Sequence, residues 1–151
     1  MHEQLTDKRI FIVEDNPHNR IIYQMILRRA GAVVDFDRRG DSMLLQLTKF
    51  VPDLIILDLN LGRYTSGFEI FEETRKLPEY AHVPIVAVSA SEPAVVVPKC
   101  RTMGFNGFIA KPIAEALFED QLVRLLQGES VWYLGERYGG EESKGKESNH
   151  V

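Results

Sequence analysis

Three carboxylates, one hydroxyl and one ammonium each close a short apolar run in this 151-residue chain. Glu14 and Asp15 follow IFIV, Asp58 follows LIIL, Ser89 follows IVAV and Lys111 follows GFIA. Carboxylates gathered in one place repel one another and attract a hard cation. Mg²⁺ suits them, because it prefers oxygen ligands, keeps several waters and bridges to phosphate oxygens. An ion at +2, Lys111 at +1 and three carboxylates at −3 sum to zero, so one carboxylate can attack phosphorus without prohibitive repulsion. Asp58, alone at its strand end, is the natural nucleophile. A phosphoryl group there lies within reach of the metal, Lys111 and Ser89, which together stabilise charge on the transferring group. Taken singly, such residues are as readily a helix cap, a capping hydroxyl or a solvated lysine. Only their convergence on one edge makes a phosphoryl-transfer site.

The elements that must bring them together are visible as apolar runs at Ile10–Val13, Ala32–Phe36, Leu54–Leu57, Pro84–Val88 and Gly107–Ala110. Runs of four or five apolar residues without alternation suit strands buried on both faces, as parallel sheets require. Each run is followed by a stretch long enough for a helix, so the pattern predicts five βα units: an α/β protein with a doubly wound, five-stranded parallel sheet and five helices. In such a sheet ligands bind beyond the carboxyl ends of the strands, where all the reactive residues fall. The first helix should span residues 17 to 29, with Asp15 or Asn16 as cap and Pro17 in the first turn. The second opens at Asp41-Ser42 and stops before Pro52, and the third opens near Ser66-Gly67 and stops before Pro78. The last runs from Pro112 to Gly128, with Ala114, Phe118, Leu122 and Leu125 on one apolar face. For the fourth, Pro98 in a helix interior would cost about 3 kcal/mol, so a short helix beginning near Pro98 is expected, with Val95, Val96 and Val97 in a loop.

Composition bounds the partners. With 44% hydrophobic residues and 26% charged, the chain has material for one domain but not two. Its 18 Lys and Arg against 22 Asp and Glu leave a net charge of −4, with no basic surplus to draw it to nucleic acid or anionic lipid. Four apolar residues before Glu14 are too few for a signal-peptide core, and no 18 apolar residues run together, so a soluble cytoplasmic protein is expected, with no membrane contact. Cys100 is the only cysteine, read as a small packing residue. His2, His18, His82 and His150 show no ligand spacing.

The segments FIVEDN, LIILDLN, VAVSA and GFIAKP, in this order and at this spacing, resemble the receiver domain of two-component response regulators over roughly residues 8 to 127. The resemblance implies a flavodoxin-like strand order of 2-1-3-4-5 and a phosphoacceptor at Asp58, fed by a sensor histidine kinase or a histidine phosphotransfer protein. It implies Mg²⁺ on Asp15, Asp58 and the backbone carbonyl of Asn60, with Glu14 helping through water. Ser89 would swing toward the phosphoryl group and Lys111 would bind it. Phe108, three residues before that lysine, would be an aromatic rotamer switch, and Lys111-Pro112 resembles the family's cis peptide. The sequence departs from the pattern at Glu14, where the family more often has Asp, in the loop LNLGRYTSG, and in the proline-bracketed fourth helix.

The leading expectation is a phosphorylation-dependent signalling switch, not a metabolic enzyme. Its fourth candidate helix, fifth strand and fifth candidate helix form the face that changes affinity for a downstream protein partner, and a homodimer through those helices is compatible with the pattern. One alternative is a pseudo-receiver that binds partners without phosphate. Another is a phosphatase like the haloacid dehalogenases, which need Asp where this chain has Asn60. The receiver is expected over residues 1–128, followed by a polar tail over 129–151, disordered from about Gly139. For Trp132 and Tyr133 the sequence leaves two readings open, packing back onto the domain or meeting a partner.

Overall fold

The five apolar runs form strands β1 (Arg9–Val13), β2 (Val33–Asp37), β3 (Leu54–Asp58), β4 (Ile85–Ser89) and β5 (Gly107–Ala110), and a sixth follows, β6 (Val131–Tyr133). This is seen in a computed structural model that describes residues 4–37, 50–60 and 66–142. The strands lie in the order β2-β1-β3-β4-β5-β6, every neighbour paired in parallel. The expected 2-1-3-4-5 order holds, with one strand more than expected. β3 and β4 are buried along their whole length, as strands covered on both faces must be.

Four α-helices are described: α1 (Pro17–Arg29), α2 (Gly67–Arg75), α3 (Pro93–Met103) and α4 (Glu115–Leu126). The second candidate helix of the sequence lies almost wholly outside the described residues. α1 has its expected bounds. The Asn16 side chain accepts the His18 and Asn19 N–H groups at 2.8 and 3.3 Å, and Arg28 and Arg29 sit at the negative end of the helix dipole. Ser66 caps α2 by accepting the Glu69 N–H at 3.2 Å. In α4 the expected stripe of Phe118, Leu122 and Leu125 is buried, and Phe118 meets Tyr23 of α1 at 5.8 Å between ring centroids. These two helices cover one face of the sheet. On the other, Phe71 of α2 stacks on Phe105 at 4.1 Å, and Lys99 of α3 lies over the Phe68 ring at 4.1 Å.

The expectation for the fourth candidate helix is corrected. α3 starts at Pro93, so Val95, Val96 and Val97 are helical and Pro98 lies inside the helix. Pro93 at the first position sacrifices nothing, since that N–H has no helical partner. Pro98 forfeits one interior bond. Against that cost α3 buries Val97 and Cys100 in the core, each burial worth on the order of 1–3 kcal/mol. Val95, at 72% exposure, faces solvent from the helix.

The expectation of a polar tail after residue 128 also needs correction. Val131, Trp132 and Tyr133 are buried as β6, and the chain beyond folds back on them: the Leu134 N–H donates to the Gly140 carbonyl at 2.9 Å and the Glu142 N–H to that of Trp132 at 3.0 Å. Gly107 permits this pairing. A Cβ at that position would stand 2.3 Å from the Val131 carbonyl oxygen, closer than any side chain allows. Residues 143–151 lie outside the described residues.

Candidate functional site

The sheet register delivers the reactive residues to one edge. Val13 pairs with Leu57, so the next residues, Glu14 and Asp58, leave β1 and β3 side by side. Ser89 pairs with Ala110, and Lys111 follows immediately. One oxygen from each of Glu14, Asp15 and Asp58 lies within 4.8 Å of the others. Glu14 and Asp58 are 1% and 4% exposed, so two carboxylates are held close together with little water between them.

The charge is offset by Lys111, whose Nζ donates to Glu14 Oε1 at 3.1 Å and to Asp58 Oδ2 at 3.2 Å. The Lys111-Pro112 peptide that follows β5 is cis, as the resemblance implies. Asp58 Oδ1 accepts the Asn60 N–H at 3.0 Å, and Glu14 Oε2 accepts the Asn16 N–H at 3.2 Å. One ammonium is not enough for two buried carboxylates. Burial first, and then the Glu14 charge, push Asp58 up from 3.8 to about 6, against the pull of Lys111 and the Asn60 N–H. The all-oxygen donor set of Glu14, Asp15 and Asp58, with an open side at Asp15, fits a hard divalent ion that keeps waters.

On the other flank, the Asn60 side-chain amide donates to Ser91 Oγ at 2.9 Å and to Ser89 Oγ at 3.4 Å, while the Ser91 N–H donates to Ser89 Oγ at 3.0 Å. Ser89 is therefore placed beside the pocket within a small polar chain. Phe108 is fully buried on β5, between Ala87 of β4 and Trp132 of β6 in register. The loop expected to be remodelled lies mostly outside the described residues, but its flank is informative. The Gly67 N–H donates to the Leu59 carbonyl at 3.3 Å, and a Cβ on Gly67 would stand 2.5 Å from the Asp58 carbonyl oxygen. Only glycine lets the start of α2 press against the Asp58 backbone.

Sequence reasoning missed Tyr23. This α1 residue is buried, and its hydroxyl is pushed well above the usual phenol value first by burial and then by the charges of Glu14 and Asp58. Its spacing with Ile26 and Leu27 reads only as core, so no signal separates it from an ordinary packing aromatic. Cys100 does behave as read: burial pushes its thiol up to about 12, leaving it unreactive at neutral pH.

Comparison with known proteins agrees with this geometry. Residues 10–123 match the response regulator receiver domain family. The polar-differentiation response regulator DivK of Brucella anthropi is 30% identical over 111 residues, covering 74% of this chain and 89% of its own. The structure of the chemotaxis response regulator CheY4 of Vibrio cholerae superposes with a TM-score of 0.73 at 24% identity, over 80% of this chain and 99% of that one. The receiver domain of the sensor histidine kinase PA1611 of Pseudomonas aeruginosa does so with a TM-score of 0.72 at 27% identity, over 81% and 99%. The chain belongs to the receiver domain family of two-component response regulators.

Proposed function

We propose that Asp58 accepts a phosphoryl group from the phosphohistidine of a sensor histidine kinase or histidine phosphotransfer protein, and that the acquired charge changes the affinity of the α3–β5–α4 face for a downstream protein partner. The observation that carries this reading is the shared lysine: Lys111 Nζ bonds two buried carboxylates, Glu14 and Asp58, at one sheet edge with Asp15 beside them. Mg²⁺ on Asp15, Asp58 and the Asn60 backbone carbonyl, with Glu14 acting through water, would supply positive charge and orient the phosphoryl oxygens. The PA1611 receiver was solved with magnesium coordinated in its active site cleft, which supports this assignment.

The chain's own groups do the rest. An Asp58 carboxylate oxygen attacks phosphorus, the P–N bond of a phosphohistidine protonated on its other ring nitrogen breaks, and the imidazole leaves neutral, keeping that proton. The Asn60 N–H fixes the Asp58 carboxylate, Lys111 shifts from carboxylate to phosphoryl oxygen, and Ser89 turns its hydroxyl to another. Phe108 then repacks as the aromatic switch. Such a module is a signalling switch and not a metabolic enzyme, and the reading places it in the cytoplasm; among the described residues no helix is long and apolar enough to cross a membrane. Intact-mass spectrometry after incubation with acetyl phosphate and Mg²⁺ tests it. One added phosphoryl group, lost in Asp58→Ala, is expected; no addition in the native chain would point instead to a phosphate-independent binding module.

A further inference from the structure

Residues 129–142 lie beyond the stretch matched to the family, and the solved receivers are covered over 99% of their length by only 80% or so of this chain. The addition is placed with care. β6 pairs with β5, burying Val131, Trp132 and Tyr133, and its outer edge is in turn covered by the return of residues 140–142. Two helices hold the segment from either side. Arg101 of α3 stacks over Trp132 at 4.2 Å and pairs with Glu142, and Arg124 of α4 grips Glu141 with two bonds of 2.7 Å. Tyr138 donates its hydroxyl to Glu92, the residue that opens α3.

This last contact ties the segment to the reactive pocket. Asp58 holds the Asn60 N–H, the Asn60 side chain holds Ser91, and Ser91 is bonded to Glu92, which accepts from Tyr138. A second route runs through Lys111, which holds Asp58, to Phe108, the register partner of Trp132 three residues earlier. Between the two routes lies a cavity of about 380 Å³, with Ser91, Glu92 and Lys111 on one wall and Tyr133, Arg137 and Tyr138 on the other.

We propose that segment 134–142 is a built-in cover on the β6 edge that loosens when Asp58 carries a phosphoryl group, uncovering a strand edge flanked by Arg101 and Arg124. The proposal rests on the phosphoacceptor reading. A phosphoryl group offers three oxygens to donors, and those within reach are Lys111, Ser89 and the Asn60 amide. Drawing Ser89 and Asn60 toward Asp58 displaces Ser91 and with it Glu92, so the Tyr138 anchor is lost. The buried Val131, Trp132 and Tyr133 keep β6 in the sheet, whereas residues 134–142 are clamped by part-exposed ion pairs, which hold weakly enough for local opening without global unfolding. The surface so uncovered fits a strand-forming segment with apolar and aromatic residues and acidic flanks, the chemistry of the cover itself.

Trp132 is the only tryptophan, so its fluorescence reports the cover in the full chain. Acrylamide quenching should rise several-fold in samples whose mass shows the added phosphoryl group. Tyr138→Phe, outside the reactive pocket, should raise quenching part-way in the unmodified protein while leaving phosphoryl uptake unchanged. Added mass with unaltered quenching overturns the cover and leaves the acceptor standing, as does Tyr138→Phe quenching like the native protein. No added mass overturns the acceptor reading and the cover with it.

Discussion

At the carboxyl ends of β1 and β3 two buried carboxylates share one ammonium, whereas along the β5 edge the cations and anions sit at the rim of a buried, apolar β6. The first arrangement costs stability. Its charges have been taken out of water, and burial together with the Glu14 charge raises the Asp58 pKa despite Lys111. The second arrangement stabilises, but mostly through Val131, Trp132 and Tyr133, while the ion pairs fix where the segment lies. The same two ingredients, charge and burial, thus serve opposite ends: in one place burial makes charge reactive, and in the other charge positions what is buried.

Substitutions that strike the two regions should therefore differ in sign. The largest effect belongs to Gly107→Ala. Its methyl group meets the Val131 carbonyl at 2.3 Å, and since backbone cannot yield without unpairing β6, a loss of roughly 3 kcal/mol is expected in denaturant unfolding, at the upper end of overpacking costs. A midpoint like that of the native chain would mean that β6 is not docked as described.

The opposite sign is expected at Asp58. In metal-free protein the native carboxyl titrates near 6 and the unfolded one near 3.8, so between these values the native state binds a proton that the unfolded state does not. Stability then falls as pH rises through that window, by about 2–3 kcal/mol in total. Asp58→Asn should remove most of that slope and leave the metal-free protein more stable at pH 7, with Lys111 still paired to Glu14. Thermal unfolding across pH 4 to 7 reads both, and an Asn variant less stable than the native chain at pH 7 would show the pocket to be a net stabiliser. The smallest effect is Arg124→Ala. Removing a part-exposed pair should cost under about 1 kcal/mol and vanish in high salt, detected as faster amide exchange over residues 131–142 with no change elsewhere.

How much of this was legible in the sequence follows the same division. The pocket could be read because unbroken apolar runs force buried parallel strands, and such strands leave Glu14, Asp15, Asp58, Ser89 and Lys111 nowhere to go but one edge. The bounds of α1 were legible for a local reason, the Asn16 cap and the two arginines before Gly31. α3 was misread because the local penalty of Pro98 is visible and the tertiary burial of Val97 and Cys100 is not. β6 escaped notice because three residues make too short a run to show a period, and because the features that seat it, Gly107 and the two arginines, lie far away in sequence. Tyr23 was hidden inside an ordinary helical stripe.

The central claim, that Asp58 is the group that takes the phosphoryl, is tested most directly by borohydride reduction of the protein after incubation with acetyl phosphate and Mg²⁺, followed by peptide mapping. An aspartyl phosphate is reduced at its acyl carbon to homoserine. The account predicts homoserine at position 58 and at no other aspartate. Reduction at Asp15 or elsewhere, with position 58 still aspartate, would contradict it.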